Sequence, residues 1–388
     1  MTEGSSRTPR VCIVGGGIVG LFSAYHILRA GGGPVVVLDR GFLSAGASGR
    51  NGGGVRQQWE TRVTVRLMRE AVGEWRRFGR EFGTNVWFRQ GGYLFLAANA
   101  SEMTRLRLVV GAVRAEGLAG RILDPSQIPK FAPSLSLEDV AGGTFLNTDG
   151  TLYPFPAIWG VYEAVRALGG DVRLGVEVTG VRTQDGRAVG VQTSAGPVDA
   201  PVVVNAAGGW SSDVSRLAGL SVPNVASRHE ILATEPLKPF LDPMVIRLSD
   251  GLYFSQTMRG EVVGGLTVPH PSGTRAGMPT SPDFLRAMSR SLVRLVPRLA
   301  PVGVLRAWSG FYDDTPDGFP VIGEDPRLPG FVHANGFGGH GFMLSPASSK
   351  RVARAAMGEA TDLDPALFSP GRFLDPNRRT APESLQPG

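Results

Sequence analysis

A glycine-rich turn between two short apolar runs near the N-terminus most constrains what this chain can fold into. The first run, Val11 to Val14, is typical of a buried parallel strand. The second, Val35 to Leu38, ends at Asp39, and between the runs lie glycines with the G-x-G-x-x-G spacing and apolar residues at helical spacing. This order of strand, glycine turn, helix, strand and acid predicts a dinucleotide-binding βαβ unit.

Each residue type in this unit has a physical role. Gly15 allows the tight turn, Gly17 lets a pyrophosphate approach the backbone, and Gly20 lets the helix pack closely on the strand. The helix N-terminus offers N–H groups to phosphates. Asp39, 19 residues after Gly20, can accept hydrogen bonds from ribose hydroxyls. Because 54 of the 388 residues are glycine, the complete arrangement, rather than the glycines alone, favours a nucleotide site over a ligand-free turn.

The length, composition and charge of the chain limit the classes of protein to which it can belong. A chain of 388 residues predicts two domains or one large two-part domain, and 42% hydrophobic with 19% charged residues is typical of a globular protein. The net charge of +6 comes almost entirely from arginines spread along the chain, since the only lysines are Lys130, Lys238 and Lys350. We therefore expect no nucleic-acid partner.

Cys12 is the only cysteine, so we expect no internal disulfide and no cysteine metal cluster. No cluster of His, Cys, Asp and Glu has metal-ligand spacing, and we expect no metal site. The chain has no signal-peptide pattern and no apolar run of 18 residues, which predicts a cytoplasmic protein without a membrane span.

The rest of the chain alternates helical and strand-like patterns. The Gly/Ser/Asn/Arg-rich stretch after Asp39 predicts an irregular loop that approaches the cofactor, with a flexible surface loop as the alternative. The segment VWFRQGGYLFL predicts two antiparallel strands, and residues 226–310 predict a separate sheet. The predicted helices run from Thr61 to Phe82, Ser101 to Gly117, Pro154 to Leu168 and Ser281 to Leu299.

A second glycine-rich motif follows a predicted strand at Phe331 to Ala334. Gly338, Gly339, His340 and Gly341 lie just before a helix that we expect from about Met343. A helix N-terminus preceded by glycines predicts a second site for an anion or a carbonyl oxygen.

With both glycine motifs in place, the chain resembles the flavin-dependent D-amino acid oxidase / sarcosine oxidase family over almost its whole length. The segments that carry the resemblance are GGGIVG, GASGRNGGGVR, VVNAAGGW, TPDGFPVIG and NGFGGHGFMLSP. Within the family it looks most like the β subunits of dye-linked L-proline dehydrogenases and of sarcosine oxidases, through GGGVRQQWE, RQGGYLFL, LYFSQT, WSGFYDDTPD and GHGFMLSPA.

The resemblance implies an α/β fold in which a Rossmann-like FAD-binding domain carries an inserted α+β substrate domain with a mixed, mostly antiparallel sheet. It places the FAD-binding domain at 10–82, 142–225 and 307–375, and the substrate-binding domain at 83–141 and 226–306. The residues expected to contact FAD are Gly15, Gly17, Ile18, Val19, Gly20, Asp39, Arg40, Ala47, Ser48, Asn51, Gly53, Val178, Ala207, Gly208, Trp210, Gly310, Gly338, Gly339, His340, Gly341, Phe342 and Met343.

Three departures from the family pattern bear on the chemistry. Gly310 stands where monomeric sarcosine oxidase has its flavin-linking cysteine, so we expect non-covalent FAD. The lysine that promotes reaction with oxygen in that enzyme is absent, because no lysine lies between Lys238 and Lys350. Met343 replaces a substrate-binding lysine, and the carboxylate-binding arginine of glycine and D-amino acid oxidases would fall near Tyr312.

The resemblance implies oxidation of an amino acid or amine C–N bond to an imine by hydride transfer to flavin N5, with L-proline or a sarcosine-like N-methyl amino acid as candidate substrates. We expect Arg56, Tyr253 and His340 to form the catalytic site, with Gln256 and His229 as further candidate anchors for the carboxylate. Three alternatives stay open: an oxidase that releases peroxide, an FAD-carrying subunit that needs a partner subunit or electron acceptor, and, less favoured, an NAD-dependent dehydrogenase.

Overall fold

A computed structural model of the chain describes residues 10–268 and 279–375. The sequence also predicts a polar N-terminal segment over residues 1–9 and a frayed, Pro-rich tail from Thr380, and both lie outside these ranges. Within them the helices are α1 (Ile18–Arg29), α2 (Arg62–Phe82), α3 (Ala100–Ala115), α4 (Pro154–Ala167), α5 (Ser211–Leu217), α6 (Pro282–Leu295), α7 (Gly341–Ala356) and α8 (Pro365–Phe368). The strands are β1 (Val11–Val14), β2 (Val35–Asp39), β3 (Gly54–Val55), β4 (Tyr93–Ala97), β5 (Arg121–Leu123), β6 (Gly142–Leu146), β7 (Gly150–Thr151), β8 (Asp171–Leu174), β9 (Val178–Gln184), β10 (Arg187–Thr193), β11 (Gly196–Asp199), β12 (Val202–Asn205), β13 (Val225–Pro236), β14 (Met244–Arg247), β15 (Leu252–Gln256), β16 (Glu261–Leu266), β17 (Val304–Asp314), β18 (Val321–Glu324) and β19 (Phe331–Asn335).

A six-stranded sheet, in the order β18-β19-β12-β1-β2-β8, forms the nucleotide-binding half of the molecule. Its strands are parallel except for the edge pair β18 and β19. Alternate side chains of β1 face opposite sides: Val11 and Ile13 join a core with the helices, while Cys12 and Val14 join a core with the three-stranded meander β9–β11. On the helical side α1 packs against α4 and α7. Burial on both faces explains why β1 and β2 are continuous apolar runs.

The second sheet has eight strands in the order β17-β13-β16-β15-β14-β4-β6-β5. All its pairs are antiparallel except β14 with β4, which confirms the predicted mixed, mostly antiparallel sheet. Helix α6 buries Phe284, Met288 and Leu292 in the core on one face of this sheet. Tyr93 and Tyr253, on neighbouring parts of the sheet, border an open cleft.

Two local predictions were wrong. In VWFRQGGYLFL only β4 is a strand; it pairs with β14 and β6, and Arg89 forms just an isolated bridge to Thr151. The predicted helix to Leu299 ends at Leu295, because Pro297 has no N–H to continue the helix and disfavours helical geometry at the residue before it. A 3-10 turn, Pro297–Leu299, follows instead.

The division into two discontinuous domains stays a prediction. Two of its predicted boundaries, near residues 142 and 307, fall at or within strands of the eight-stranded sheet. Strand β6 begins at the predicted boundary at residue 142 and pairs with β4 and β5 in the eight-stranded sheet. Strand β17 continues through residue 307 to Asp314 while paired with β13. Both strands therefore extend the larger sheet into segments that the sequence assigned to the FAD-binding domain.

Candidate functional site

The turn between β1 and α1 has the geometry of a phosphate cradle. Gly15 has a φ of +114°, and a Cβ atom there would lie 2.3 Å from the carbonyl oxygen of Ala206. A Cβ atom at Gly20 would lie 2.0 Å from the carbonyl oxygen of Gly15, so helix and turn can meet only through glycine. The first turn of α1, which contains Ile18 and Val19, has no acidic side chain that would repel a phosphate. The opening motif therefore fits a pyrophosphate.

Asp39 lies at the end of β2 and is bound to the backbone of this turn. Its Oδ2 accepts a hydrogen bond of 2.8 Å from the Gly16 N–H, and its Oδ1 accepts one of 2.8 Å from the Gly41 N–H. Each carboxylate oxygen has a second lone pair. Asp39 can hold the turn and still accept a hydrogen bond from a ribose hydroxyl, which stays a prediction.

The residues expected around the adenosine end lie close to Asp39. The segment before Val178 runs beside it, since the Val176 N–H donates to the Asp39 carbonyl at 2.9 Å. The Arg40 guanidinium lies 4.5 Å from the centre of the Trp210 ring. Trp210 ends a short 3-10 helix that starts at Gly208, directly after Ala207 and β12. The structure thus brings two distant segments to the end of β2.

The loop after β2 is held by its own hydrogen bonds. The Ile18 N–H donates to Ser48 Oγ at 2.9 Å, next to Ala47. Asn51 accepts from the Gly53 N–H at 2.8 Å and donates to the Ser48 carbonyl at 2.6 Å. These contacts favour the cofactor loop of the sequence analysis over a flexible surface loop.

A cleft opens beyond this loop, between the large sheet and the start of α7. Its lining is mainly aromatic and aliphatic, with Trp59, Tyr93, Tyr253, Tyr312, Phe342 and Met343 among the larger side chains. Arg50 and Arg56 also line it, whereas no Asp or Glu of the described ranges does. Such a cleft favours an anionic ligand with apolar parts.

Arg56 is a buried cation, only 2% exposed. Its guanidinium carbon lies 3.8 Å from the centre of the Trp59 ring and 5.3 Å from that of Phe95. The electron-rich ring faces stabilise the charge in a site with little water. The structure therefore places Arg56, as predicted from the sequence, in a position suited to binding a carboxylate.

Tyr253, His229 and Tyr312 form one wall of the cleft. The hydroxyls of Tyr253 and Tyr312 are hydrogen-bonded to each other, and burial raises the pKa of Tyr312 to about 12. The His229 ring stacks on Tyr312 with centres 3.7 Å apart. The family pattern identifies position 312 only as the place of a missing arginine, although the spacing of Tyr312 from the TPDG turn indicates a residue in the same cleft.

Gln256, another candidate anchor, lies outside the cleft. Its amide nitrogen donates to three backbone carbonyls, and its oxygen accepts from the N–H groups of Phe240 and Leu241. Gln256 therefore has a structural role in stabilising a turn.

The second glycine motif forms the far end of the cleft. A 3-10 turn, Gly338–His340, leads directly into α7, which begins at Gly341 rather than near Met343. A Cβ atom at Gly339 would lie 2.7 Å from the ring of Tyr312. Gly310 lines the same cleft, and a Cβ atom there would lie 3.3 Å from Cβ of Arg50. Backbone, rather than side chain, thus faces the cleft at these positions.

His340 is 1% exposed, and its Nδ1 has no hydrogen-bond partner among the described residues. Burial, with a further contribution from Arg56, lowers the pKa of His340 to about 3, so the imidazole is neutral at pH 7. A buried ring nitrogen without a partner is a place for a polar ligand group. The glycine cradle at Gly15 and the unpartnered nitrogen of His340 together fit a dinucleotide that extends from the end of β1 towards the start of α7.

The fold and this site define a dinucleotide-binding oxidoreductase, and comparison with known proteins identifies the family. Residues 10–355 match the family described as FAD dependent oxidoreductase, and the chain belongs to it. FAD is its cofactor, and it is an enzyme of the amino acid and amine oxidoreductase class, as the resemblance predicted.

Individual relatives agree with this assignment. The chain is 29% identical to the sarcosine oxidase subunit beta of Rhodobacter capsulatus, covering 94% of this chain and 90% of that protein. It is 28% identical to human mitochondrial sarcosine dehydrogenase, but spans only 40% of that protein's length. The crystal structure of L-proline dehydrogenase from P. horikoshii superposes with a TM-score of 0.89 at 30% identity, covering 95% of this chain and 98% of that one.

Two further observations concern other ligands and the membrane. Residues 10–268 and 279–375 contain no group of three or more His, Cys, Asp or Glu side chains able to hold a metal ion. In the same part of the chain every helix is too short or too polar to cross a bilayer. The cytoplasmic location stays a prediction.

Proposed function

We propose that the chain oxidises the C–N bond of an amino acid with a free carboxylate, either L-proline or an N-methyl amino acid such as sarcosine, to the imine. The observation that carries the proposal is the buried Arg56 in an aromatic cleft without acidic lining residues. A guanidinium in such a place binds one carboxylate strongly, because little water competes for it. The names of relatives that act on sarcosine and L-proline support the same substrates.

Bound FAD would accept the hydride from the carbon next to the nitrogen. The protein's part is to hold the substrate. Arg56 binds the carboxylate, and Tyr253 and Tyr312 present hydroxyls along the cleft wall. His340 is buried next to Gly339, which lines the cleft, and its neutral ring can form a hydrogen bond without adding charge. The substrate amine reacts in its neutral form, and the lack of acidic lining residues disfavours the ammonium ion.

We also propose that FAD is held without a covalent bond. Gly310 has no nucleophile at the place of the flavin-linking cysteine of monomeric sarcosine oxidase, and the only cysteine, Cys12, is buried in β1. Denaturation with acid followed by filtration tests this, since non-covalent FAD passes into the filtrate. Flavin that stays with the precipitated protein would contradict it.

For the electron acceptor we propose a dehydrogenase that passes electrons to a carrier other than oxygen. The cations lining the cleft are Arg50 and Arg56, and the sequence has no lysine between Lys238 and Lys350. The name of the Rhodobacter relative, a beta subunit, supports a partner subunit in this transfer.

Anaerobic bleaching of the flavin tests the reaction. The purified holoenzyme is mixed with L-proline, sarcosine, glycine, dimethylglycine or D-amino acids, and the flavin absorbance is followed. Bleaching by L-proline or sarcosine is expected, and failure of every amine to bleach the flavin would contradict the proposal. In air, rapid dye reduction with little peroxide is expected; peroxide release at the rate of turnover would show an oxidase.

A further inference from the structure

A buried carboxylate lies behind the cleft arginine. Asp149, in the turn between β6 and β7, is 0% exposed. Its hydrogen-bond donors are neutral amides: Oδ1 accepts from the Gln57 N–H at 2.7 Å and from Gln57 Nε2 at 3.1 Å, and Oδ2 accepts from Gln58 Nε2 at 3.1 Å. An ionised carboxylate in such surroundings is only partly stabilised.

These bonds fix the backbone on both sides of Arg56. Before it, Val55 pairs with Gly150 in the short ladder of β3 and β7. After it, Gln57 and Gln58 are bound to Asp149. Gly150 cannot be replaced by a larger residue in this position, because a Cβ atom there would lie 2.1 Å from the carbonyl oxygen of Arg89. The Asp149–Gly150 pair therefore sets where Arg56 enters the cleft.

Gln58 connects this arrangement to the large sheet. Its Oε1 accepts a hydrogen bond of 2.9 Å from Thr144 Oγ1 in β6, and its Nε2 also donates to the carbonyl of Tyr93 in β4 at 3.1 Å. Arg56 is thus held to the sheet through Asp149 and Gln58. A shift of the Asp149 carboxyl would therefore change the position of the Arg56 guanidinium.

The charges around Asp149 make its protonation state respond to Arg56. Burial raises the pKa of the Asp149 carboxyl to about 7, while the neighbouring Gln58, Gln57 and Arg56 oppose the rise. Tyr93 also interacts with Asp149, and it is neutral because burial raises its pKa. Arg56 is a cation that favours the ionised form of Asp149.

We propose that Asp149 is the positioning residue of the carboxylate site, and that binding of a carboxylate ligand at Arg56 is coupled to uptake of one proton by Asp149. The inference rests on the proposed function, in which Arg56 binds the substrate carboxylate. An anion bound at this guanidinium repels the Asp149 charge and offsets the stabilisation that Arg56 gives it through space, so the carboxyl takes a proton from solvent. Oδ2 is the acceptor, because it carries one amide bond whereas Oδ1 carries two.

The coupling has a definite direction with pH. Below about pH 6 Asp149 is already neutral, so carboxylates bind with an affinity that does not change with pH. Above about pH 7 binding is accompanied by proton uptake, and the affinity falls by up to about tenfold per pH unit until the pH reaches the raised pKa of the liganded state. Deprotonation of a substrate amine acts in the opposite direction, so the test uses ligands without an amine.

The test is carboxylate binding to the holoenzyme, with acetate and tetrahydro-2-furoate as probes. The second probe has the ring of proline with oxygen in place of nitrogen. Binding is followed by perturbation of the flavin spectrum between about pH 5.5 and 8.5, and by calorimetry in two buffers with different ionisation enthalpies. In the wild type we expect net proton uptake that sets in near pH 7 and is largest between the pKa values of Asp149 without and with the ligand, and none at the acidic end.

Asp149→Asn is the diagnostic variant, because its Oδ1 can still accept from the Gln57 N–H while its charge is gone. It is expected to bind both probes with no proton uptake and with an affinity independent of pH. Asp313→Asn is the matched control, since Asp313 is also buried and burial likewise raises its pKa to about 7, but its partners are Ser211, Asn224 and Gly336. It should keep the proton uptake.

The outcomes separate this inference from the proposed function. Proton uptake that persists in Asp149→Asn, or wild-type binding without uptake at any pH, would overturn the role of Asp149. The wild-type measurement decides this even where the variant does not fold. If the wild type binds neither carboxylate at any pH, the assignment of Arg56, and this inference with it, is wrong.

Discussion

The indole nitrogen of Trp75 donates a hydrogen bond of 2.9 Å to the main-chain carbonyl of Met343. The same indole stacks on Phe342, with ring centres 5.3 Å apart. Helix α2 therefore holds the first turn of α7, which is the part of the second glycine motif that borders the cleft. Stability and cofactor binding should both depend on this contact.

Replacement of Trp75 by phenylalanine tests the contact. The ring stacking is retained but the hydrogen bond is lost and a small cavity is left, so we expect a loss of about 1–3 kcal/mol in the free energy of unfolding. Urea unfolding of the holoenzyme measures it. The control is Trp159→Phe on α4, where the side chain is 53% exposed and a change within about 0.5 kcal/mol is expected. Equal losses in the two variants would contradict a special role for Trp75.

The two cleft arginines should differ in their effect on substrate binding. Arg50 donates to the carbonyls of Ala45 and Ser309 at 2.8 and 3.0 Å, so its guanidinium is engaged with the backbone. Arg56→Lys should weaken the binding of a carboxylate substrate by about 10- to 100-fold, since lysine cannot form a two-point bond to a carboxylate.

Arg50→Lys serves as the matched control and should change substrate binding by no more than a few fold. The measurement is the substrate dissociation constant from rapid-mixing reduction of the flavin. A larger effect in Arg50→Lys than in Arg56→Lys would move the carboxylate site to Arg50.

Gly20→Ala should disrupt the nucleotide cradle. The added Cβ would lie 2.0 Å from the carbonyl oxygen of Gly15, so α1 must move away from the turn. Gly111→Ala in α3 is the control, because a Cβ there meets no atom within 4 Å and an alanine in a helix stabilises it by up to about 1 kcal/mol. The flavin content and the melting temperature should fall only in Gly20→Ala. Retention of the full flavin content in this variant would argue against the cradle.

The parts of the fold that could be predicted from the sequence are those with local causes. The β1–α1–β2 unit follows from apolar runs and glycine spacing within thirty residues. Helix α2 could be placed to within a residue, because Val65, Met68, Val72 and Trp75 repeat at helical spacing. Arg56 and His340 could be proposed from the sequence because each lies in or beside a glycine-rich motif, which indicates a close backbone approach to a ligand; their roles stay a prediction.

The rest of the site depends on contacts between residues far apart in the sequence. Asp149 and Gln57 are 92 positions apart, and only the pairing of β3 with β7 brings them together. Tyr312 meets Tyr253 because β17 and β15 belong to the same sheet in an order that propensities do not determine. The parallel pair of β4 with β14 was missed for the same reason, since local patterns show a strand but not its partner.

The last prediction concerns Asp313 and the pH dependence of stability. Asp313 accepts hydrogen bonds from Ser211 and from the Gly336 N–H at the start of the second glycine motif. Burial raises its pKa from 3.8 to about 7 in the folded chain. The protonated form is thus favoured by folding, and this contribution is complete below about pH 4 and is lost as the pH rises through about 7.

Asp313→Asn should remove this pH dependence. Between about pH 4 and 7 the wild type should lose on the order of a few kcal/mol of unfolding free energy relative to the variant. Urea unfolding at saturating FAD measures the difference in unfolding free energy between the two proteins. The contributions of Asp149 and the other titratable groups to the pH dependence are the same in both and cancel in this difference. The control is Asp362→Asn, whose carboxylate is 58% exposed and bound to Arg351, and whose effect should not change between about pH 5 and 7. Parallel stability curves for the wild type and Asp313→Asn would show that Asp313 stays ionised when buried, with its hydrogen bonds alone compensating the charge.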